Sequence, residues 1–323
     1  MFHAPQIDPD VPLLLVINGA SGHNDADSKR EAIEAALKAA GRTGELLFAR
    51  PKEISGVAHR AAARAKATRT AVVAVGGDGT INTVAESAHA EGCAMGVLPQ
   101  GTFNYFARTH GIPDDIAAAM QILLHSTAQP VQVGAVNDKL FLVNASLGLY
   151  PSLLEDREAH KARFGRSRLV ALGSAFVTLM REHRQLSLRI ERGGAMRDVR
   201  TPTLFVGNNR LQLEQVGMPE AGALDVGSIA AVMLRPIGTL AMLWLVLRGA
   251  LGTLGDAENV DSFEFQRMVV RPWLPYGRRG IKIARDGEVS WMRSPLEFKV
   301  AERPLFLLKP AGAGATDPES TSS

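Results

Sequence analysis

Over its first 125 residues the chain repeats one pattern: a short apolar run, a loop, then an alanine-rich stretch with helical spacing. The apolar runs fall at 13–18, 45–49, 71–75 and 94–98. The helical stretches are expected at 27–40, 54–67, 81–91, just after Thr102, and at 114–125. Strands this short and this uniformly apolar are buried on both faces. Helices between successive strands act as crossovers, so the strands must run parallel in one sheet. In such sheets ligands sit at the carboxyl ends of the strands. The first 130 residues are therefore expected to form an α/β domain.

After Pro130 the rhythm changes. Runs at 131–136, 140–146, 186–191, 199–206, 224–231, 263–271, 281–284 and 296–300 read as strands, many of them alternating. Helical insertions near 155–184 and 237–252 interrupt them. A mostly antiparallel, β-rich second domain over 131–303 is expected, with no internal repeat. Residues 311–323 are Ala, Gly, Ser, Thr, Pro and acid, a composition expected to be disordered.

Composition removes several function classes. The 36 Lys and Arg against 33 Asp and Glu leave a net charge of +3, too small to select an anionic partner. Cys93 is the single cysteine, so neither a disulfide framework nor a cysteine metal cluster exists, and a reducing cytoplasm fits. The eight histidines show no metal-ligand spacing, and His59, His89 and His125 read as helix-surface residues. Aromatic content of 6% without interleaved stacking positions argues against nucleic acid. The first residues carry acids and prolines and no apolar core, unlike a secretory signal. The longest apolar stretch, 237–247, lies between Arg235 and Arg248. It falls short of the roughly 20 residues a bilayer span needs, and a buried or interfacial helix is expected.

The sharpest local feature is Gly76-Gly77-Asp78-Gly79-Thr80, placed between a strand and a helix. Glycines remove the Cβ atoms that hold a phosphate away from backbone N–H groups. The following helix, which includes Ile81 and Asn82, adds free donors and the positive end of its dipole. Asp78, an anion, suits a cation or a ribose hydroxyl. The same strand–loop–helix junction recurs at Pro99-Gln100-Gly101-Thr102-Phe103-Asn104, and a third glycine loop, Asn18-Gly19-Ala20-Ser21-Gly22, follows the first strand. Thr102 and Asn104 are also ordinary helix-capping types. Three such loops on successive strands make a wall for a nucleotide. No Gly-Lys pair exists, so a Walker A loop is excluded, and GxGxxG is absent.

GGDGT after an apolar strand, then LPQGTFNYFAR, then a late Arg285-Asp286-Gly287-Glu288, resembles the diacylglycerol kinase catalytic family, which includes bacterial lipid kinases and the sphingosine and ceramide kinases. The likeness spans about residues 11–310. It implies ATP as phosphate donor, with Asn18, Gly19, Ala20, Ser21, Gly22, Gly76 to Asn82, Thr102 and Asn104 along the ATP site. It implies Asp286 as the base for the acceptor hydroxyl, Glu288 near the nucleotide and its Mg²⁺, and Asp78 as a catalytic acid residue. It also implies that the mostly antiparallel second domain is a β-sandwich that holds the lipid, with an active site in the cleft between domains and a last strand near 304–308 that returns to the first.

The chain departs from that pattern in places. Asn18-Gly19 stands where Asn-Pro is usual, Arg50 where a threonine closes the second strand, and Tyr105 where an acid follows the asparagine. The family's metal loop corresponds here to Glu220-Ala221-Gly222-Ala223-Leu224-Asp225. Glu220, the Ala223 carbonyl and Asp225 either hold Mg²⁺ through oxygens or form an ordinary turn before a strand.

Asp286 is open to two readings, a hairpin turn residue, since Asp-Gly is a common hairpin signal, or the base that a lipid hydroxyl requires. Arg157, Lys161, Arg163, Arg166 and Arg168 lie in one helical insertion, either a solvated face or a dock for anionic headgroups. The expected protein is a cytoplasmic kinase, peripheral at the inner membrane face, with a membrane lipid as substrate and no nucleic-acid partner; a homodimer is left open. The alternatives are a kinase of a soluble substrate such as NAD, which shares GGDGT, and a non-catalytic lipid-binding protein of the same fold.

Overall fold

The computed structural model describes residues 2–19, 23–148, 151, 185–215, 217–236, 259–277 and 279–310. The insertions expected near 155–184 and 237–252, the basic run within the first of them and the tail 311–323 lie outside the described residues. The chain divides into two compact units, one running to Gln132 and resuming at Glu302, the other from Val133 to Ala301.

The first unit contains β1 (Leu13–Asn18), α1 (His23–Ala39), β2 (Gly44–Ala49), α2 (Ile54–Thr68), β3 (Ala71–Gly76), α3 (Asp78–Glu91), β4 (Ala94–Pro99), α4 (Tyr105–Thr109), α5 (Ile116–His125) and β5 (Ala128–Val131). The last strand of the chain, β18 (Leu305–Leu308), returns to it. The sheet order is β2-β1-β3-β4-β18-β5. The first five strands in that order run parallel, and β5 pairs antiparallel to β18. Every residue of β3 and β4 is buried, as central parallel strands covered by helices on both faces require.

The helices stop where the backbone turns left-handed. Arg69 (φ 55°) ends α2 and Gly92 (φ 70°) ends α3, each returning its N–H to a carbonyl of the last turn. Asp115 starts α5 by accepting the Ala118 N–H at 2.8 Å. Gly96 in β4 is a glycine because a Cβ there would overlap Leu123 of α5.

The second unit is β6 (Gly134–Val136), β7 (Lys139–Phe141), β8 (Asn144–Gly148), β9 (Leu186–Arg192), β10 (Ala195–Thr201), β11 (Thr203–Gly207), α6 (Arg210–Gln215), a 3₁₀ segment (Pro219–Val226), β12 (Ile229–Leu234), β13 (Val260–Phe265), β14 (Arg267–Pro272), β15 (Gly280–Arg285), β16 (Glu288–Arg293) and β17 (Leu296–Val300). They form two six-stranded sheets, β10-β9-β14-β17-β6-β7 and β13-β12-β11-β8-β15-β16. The inner faces of both share one core, with Phe141, Leu188, Val270 and Phe298 from the first sheet and Leu147, Leu204, Ala231 and Ile283 from the second.

Four stretches read above as single strands are each two strands in different sheets. The run 131–136 divides into the end of β5, in the first unit, and β6; 140–146 divides into β7 and β8; 199–206 breaks at Pro202 into β10 and β11; 263–271 breaks at Gln266 into β13 and β14. The first passes from one unit to the other at Gln132 and Val133; for the other three the physical reason is common. A chain changing sheets in a sandwich needs only one or two non-paired residues, and its apolar content hardly changes there because both sheets face one core. The run 224–231 is also corrected: its first residues belong to the 3₁₀ segment and pairing begins at Ile229. Strand β16 was not anticipated; half its positions are polar or charged because it is an edge strand.

Candidate active site

Three loops meet at the carboxyl ends of β1, β3 and β4, which are neighbours in the sheet. Gly77 is extended (φ −79°, ψ −177°) and α3 begins at Asp78. Gln100 donates its N–H to the Gly76 carbonyl at 2.8 Å, joining the second and third loops. Asn18 reaches the Thr80 hydroxyl through Nδ2 at 3.5 Å, joining the first. The glycines are explained by contact. A Cβ on Gly76 would sit 2.7 Å from Thr80 Oγ1, and one on Gly101 would sit 3.1 Å from Gly77 Cα and 3.4 Å from Asp78 Oδ2. At Gly77 the nearest atom to a Cβ is Gly101 Cα at 3.4 Å, an ordinary contact. The protein itself therefore leaves room for a side chain at Gly77.

Asp78 is half-buried and its Oδ1 has no hydrogen-bond partner. Burial pushes its carboxyl above the usual range; the backbone N–H groups of Asn104 and Asp78 itself pull it down, and the charge of Asp114 adds to the rise. Four residues on, on the same helix, Asn82 is buried with its own Oδ1 unpartnered. Ile81 is buried too, and its N–H already bonds to the Gly77 carbonyl. Its side chain serves the core, so the sequence expectation of a nucleotide contact there is met by no exposed atom of that side chain. Gly19 donates its N–H to Ala49, while Ala20, Ser21 and Gly22 lie outside the described residues. Thr102 is exposed.

Asn104 corrects the capping expectation. It stands before α4 but makes no side-chain cap bond, and its backbone is left-handed at φ 48°, a region asparagine enters more readily than most residues. Its amide turns inward, accepting the Gly101 N–H at 2.9 Å and donating to the Gly101 carbonyl at 3.0 Å and to Asp114 Oδ1 at 2.8 Å. Asp114, ten residues away and not signalled by any motif, orients the amide that folds this loop.

In the second unit, Asp286 (φ 46°) and Gly287 (φ 88°) form the two-residue turn between β15 and β16. The turn reading is thus correct, and the side chain does more. Its Oδ1 accepts the N–H groups of Val143 at 2.9 Å and Asn144 at 3.0 Å, and its Oδ2 accepts that of Leu142 at 2.8 Å. A carboxylate offers about four lone-pair directions; three are taken by fixed donors and one remains, on Oδ2. Although the residue is only half-buried, its carboxyl lies against this backbone. Burial pushes its pKa up to about 6, against the three N–H groups and Arg285, which pull it down.

Arg285 is buried and donates to the Leu140 carbonyl at 2.6 Å, bracing the same segment. Beside Asp286, Asn144 bonds Gln212 through Nδ2 at 3.0 Å and keeps a buried Oδ1 without a partner. Neither Asn144 nor Gln212 was legible in the sequence, because the pairing of β8 with β15 brings Asn144 here and the helix after β11, itself paired to β8, brings Gln212. Glu288 opens β16 and is exposed. Glu220 accepts the Ser262 hydroxyl through Oε1 and holds Oε2 buried without a partner. The side chains of Ala223 and Asp225 lie outside the described residues. Among those described, no three His, Cys, Asp or Glu side chains gather around one point.

The glycine loops stand at strand ends of the parallel sheet of the first unit, and the fixed carboxylate of Asp286 stands on an antiparallel sheet of the second. Residues 12–136 match the diacylglycerol kinase catalytic domain. A "Probable lipid kinase YegS-like" protein of Pseudomonas aeruginosa (strain UCBPP-PA14) is 33% identical over 315 residues, covering 93% of this chain and 95% of the relative. One of the same name from Pseudomonas putida is 31% identical, covering 93% and 96%. A crystal structure of a diacylglycerol kinase from Bacillus anthracis str. Sterne superposes with a TM-score of 0.67 at 18% identity, covering 93% of this chain and 97% of that one, a likeness of fold. The chain belongs to the YegS-like lipid kinases, which carry the diacylglycerol kinase catalytic domain.

Proposed function

We propose that this protein transfers the γ-phosphate of ATP to the hydroxyl of a membrane lipid of the diacylglycerol or sphingoid type. The observation that carries the reading is Asp286: a carboxylate fixed by three backbone N–H groups, with one lone pair left and a pKa lifted to about 6. A lipid hydroxyl is a poor nucleophile at neutral pH. A base whose pKa lies near the working pH can take its proton without being wholly protonated itself.

In the proposed reaction Oδ2 of Asp286 receives the hydroxyl proton as that oxygen bonds to the γ-phosphorus. The bond from the γ-phosphorus to the β–γ bridging oxygen breaks, and ADP leaves. The unpartnered Asn144 Oδ1 beside the base is suited to accept a second donor of the lipid headgroup. On the nucleotide side, the loop of Gly76 to Thr80 at the start of α3 is the one suited to hold phosphate oxygens through backbone N–H groups. The N–H groups of Gly19 and Gly101 are taken by Ala49 and Asn104, and Asn104 and Asp114 keep the Gly101 loop in shape. Mg²⁺ bound with ATP would supply charge neutralisation on the phosphates; in the first unit Asp78, with its unpartnered Oδ1, is the group suited to it. A structural Mg²⁺ site at Glu220, the Ala223 carbonyl and Asp225 fits the unpartnered Glu220 Oε2.

No helix among the described residues is long and apolar enough to cross a membrane. A cytoplasmic enzyme that meets its substrate peripherally at the inner membrane face is the proposal. The test is incubation with γ-labelled ATP and a panel of lipid classes, then chromatography. One labelled lipid is expected; label on NAD or another soluble acceptor, with none on any lipid, refutes the reading.

A further inference from the structure

Strand β16 is the edge of its sheet, and its pairing with β15 sorts the hairpin into two faces. Ile281, Ile283 and Met292 pack on the shared core. Alternation then puts Lys282, Trp291 and Arg293 on the opposite face. Lys282 and Trp291 are direct cross-strand partners, and the ammonium lies 5.8 Å from the indole centre. The next outward pair is Gly280 with Arg293, so no side chain separates Arg293 from the connection that follows β14. That connection carries Tyr276 and Arg279, and the Arg279 carbonyl accepts the Ser294 N–H at 3.1 Å, which ties this end of it to the hairpin.

Tyr276 and Trp291 are among the most exposed large side chains of the described residues, at 107% and 62%. Trp273, which donates its N–H to the Ser187 carbonyl and has Arg189 5.7 Å from its ring, belongs to the outer face of the other sheet and not to this one. Between 273 and 293 the only acids are Asp286 and Glu288, both at the far, turn end of the hairpin.

Every exposed aromatic here is a Trp or Tyr, with an apolar body and a polar tip, and each has basic residues beside it in space or sequence. Those are the side chains that settle at the headgroup level of a bilayer, where the ring is half in hydrocarbon and the cation meets phosphate. We propose that this face of the β15–β16 hairpin, with Tyr276 and Arg279 beside it, docks on an anionic lipid bilayer. Tyr276 and Trp291 enter the interface; Arg279, Lys282 and Arg293 lie on the headgroup phosphates.

Trp291 lies four positions beyond Gly287, about 14 Å at the rise of a strand. Docking therefore holds Asp286 at a set distance along the hairpin from the headgroup layer. The meaning of that spacing rests on the lipid-kinase reading, whereas the docking itself does not.

Full-length protein is sedimented with phosphatidylcholine vesicles and with phosphatidylglycerol–phosphatidylcholine vesicles, alongside Trp291→Ala and the double variant Lys282→Ser/Arg293→Ser. All three positions are away from the core, and unchanged melting temperatures check that the variants fold. Wild type is expected to prefer the anionic vesicles and to lose that preference as salt rises. Each basic residue at such a surface is worth about fivefold in partitioning, so the double variant should bind about 25-fold more weakly, and only to anionic vesicles. Trp291→Ala should weaken binding to both kinds. Turnover of lipid dispersed in detergent micelles should be unchanged in every variant, with loss confined to vesicle-borne lipid.

Equal vesicle binding by wild type and both variants overturns the docking face, whatever the kinase assay shows. Self-association that Trp291→Ala abolishes while vesicle binding persists also overturns it, and makes the face a contact between copies. Docking as expected without a phosphorylated lipid in any assay leaves this proposal standing and refutes the kinase reading.

Discussion

Replacing Asp286 with asparagine separates the base from the turn it sits in. Asparagine tolerates the positive φ of 46° and keeps the side-chain shape. Its carbonyl can occupy the Oδ1 position and retain the N–H groups of Val143 and Asn144. Its NH₂ then faces the Leu142 N–H, donor against donor, where Oδ2 stood. One unpaired buried N–H costs about 1–3 kcal/mol. Against this, burial raises the aspartate from 3.8 to about 6, so the ionised form is penalised in the folded protein. At 1.36 kcal/mol per pKa unit the penalty is about 3 kcal/mol, and asparagine does not carry it. The two effects oppose each other, and at neutral pH the variant should fold with stability within about 2 kcal/mol of wild type.

The sign of the pH dependence follows from the raised pKa. The folded state holds the proton more tightly than the unfolded one, so the stabilisation is complete below 3.8 and is lost as pH rises through about 6. The wild-type advantage over Asp286→Asn, measured by denaturant unfolding at several pH values, should therefore shrink by about 3 kcal/mol across that window. In activity the same group acts in the opposite sense. The base must be ionised, so wild-type kcat/KM should rise with pH through about 6 and then level. In the variant kcat should fall by roughly 10²–10⁴. The KM for ATP should be little altered, and calorimetric ATP binding should survive. Loss of ATP affinity with kcat intact would make Asp286 a nucleotide or metal residue. Unchanged kinetics, or a stability difference flat in pH, would leave it a turn residue only.

Asp78→Asn should remove most kinase activity while the melting temperature holds or rises, because a desolvated carboxylate is replaced by a neutral amide; normal turnover would reject the assignment of this loop. Gly77→Ala should weaken ATP binding without loss of stability, since the protein leaves a Cβ there at ordinary contact distance. Gly76→Ala should lower stability by about 1–3 kcal/mol through overlap with Thr80. Equal effects of the two alanines on thermal unfolding would mean that Gly77 has no ligand-facing role. Wild-type melting temperature should rise with added Mg²⁺ and that of Glu220→Gln should not; an identical rise in both would remove Glu220 from the metal proposal.

Much of the first unit could be read from the chain directly. Its strands are continuous apolar runs between helices, so local pattern and tertiary role coincide, and the glycine loops follow from their place after β1, β3 and β4. The order of strands is another matter. β18, some two hundred residues beyond β4, lies between β4 and β5, and a short apolar run near the end of a chain carries no mark of its neighbour.

The second unit shows where local information ends. Composition establishes that 131–136, 140–146, 199–206 and 263–271 are apolar and extended. It cannot say that each crosses from one sheet to another; in the last three both sheets bury their inner faces in one core and the crossing takes only a residue or two. The chemistry of the site divides in the same way. Asp286-Gly287 is a hairpin turn by residue type alone, since both positions need positive φ. That the aspartate is also held by three amides, desolvated and set beside Asn144 was decided by β15 lying next to β8, a contact between residues more than 130 positions apart. Residue type determined what the turn could be, and long-range strand pairing determined the pKa and the one open lone pair of its carboxylate.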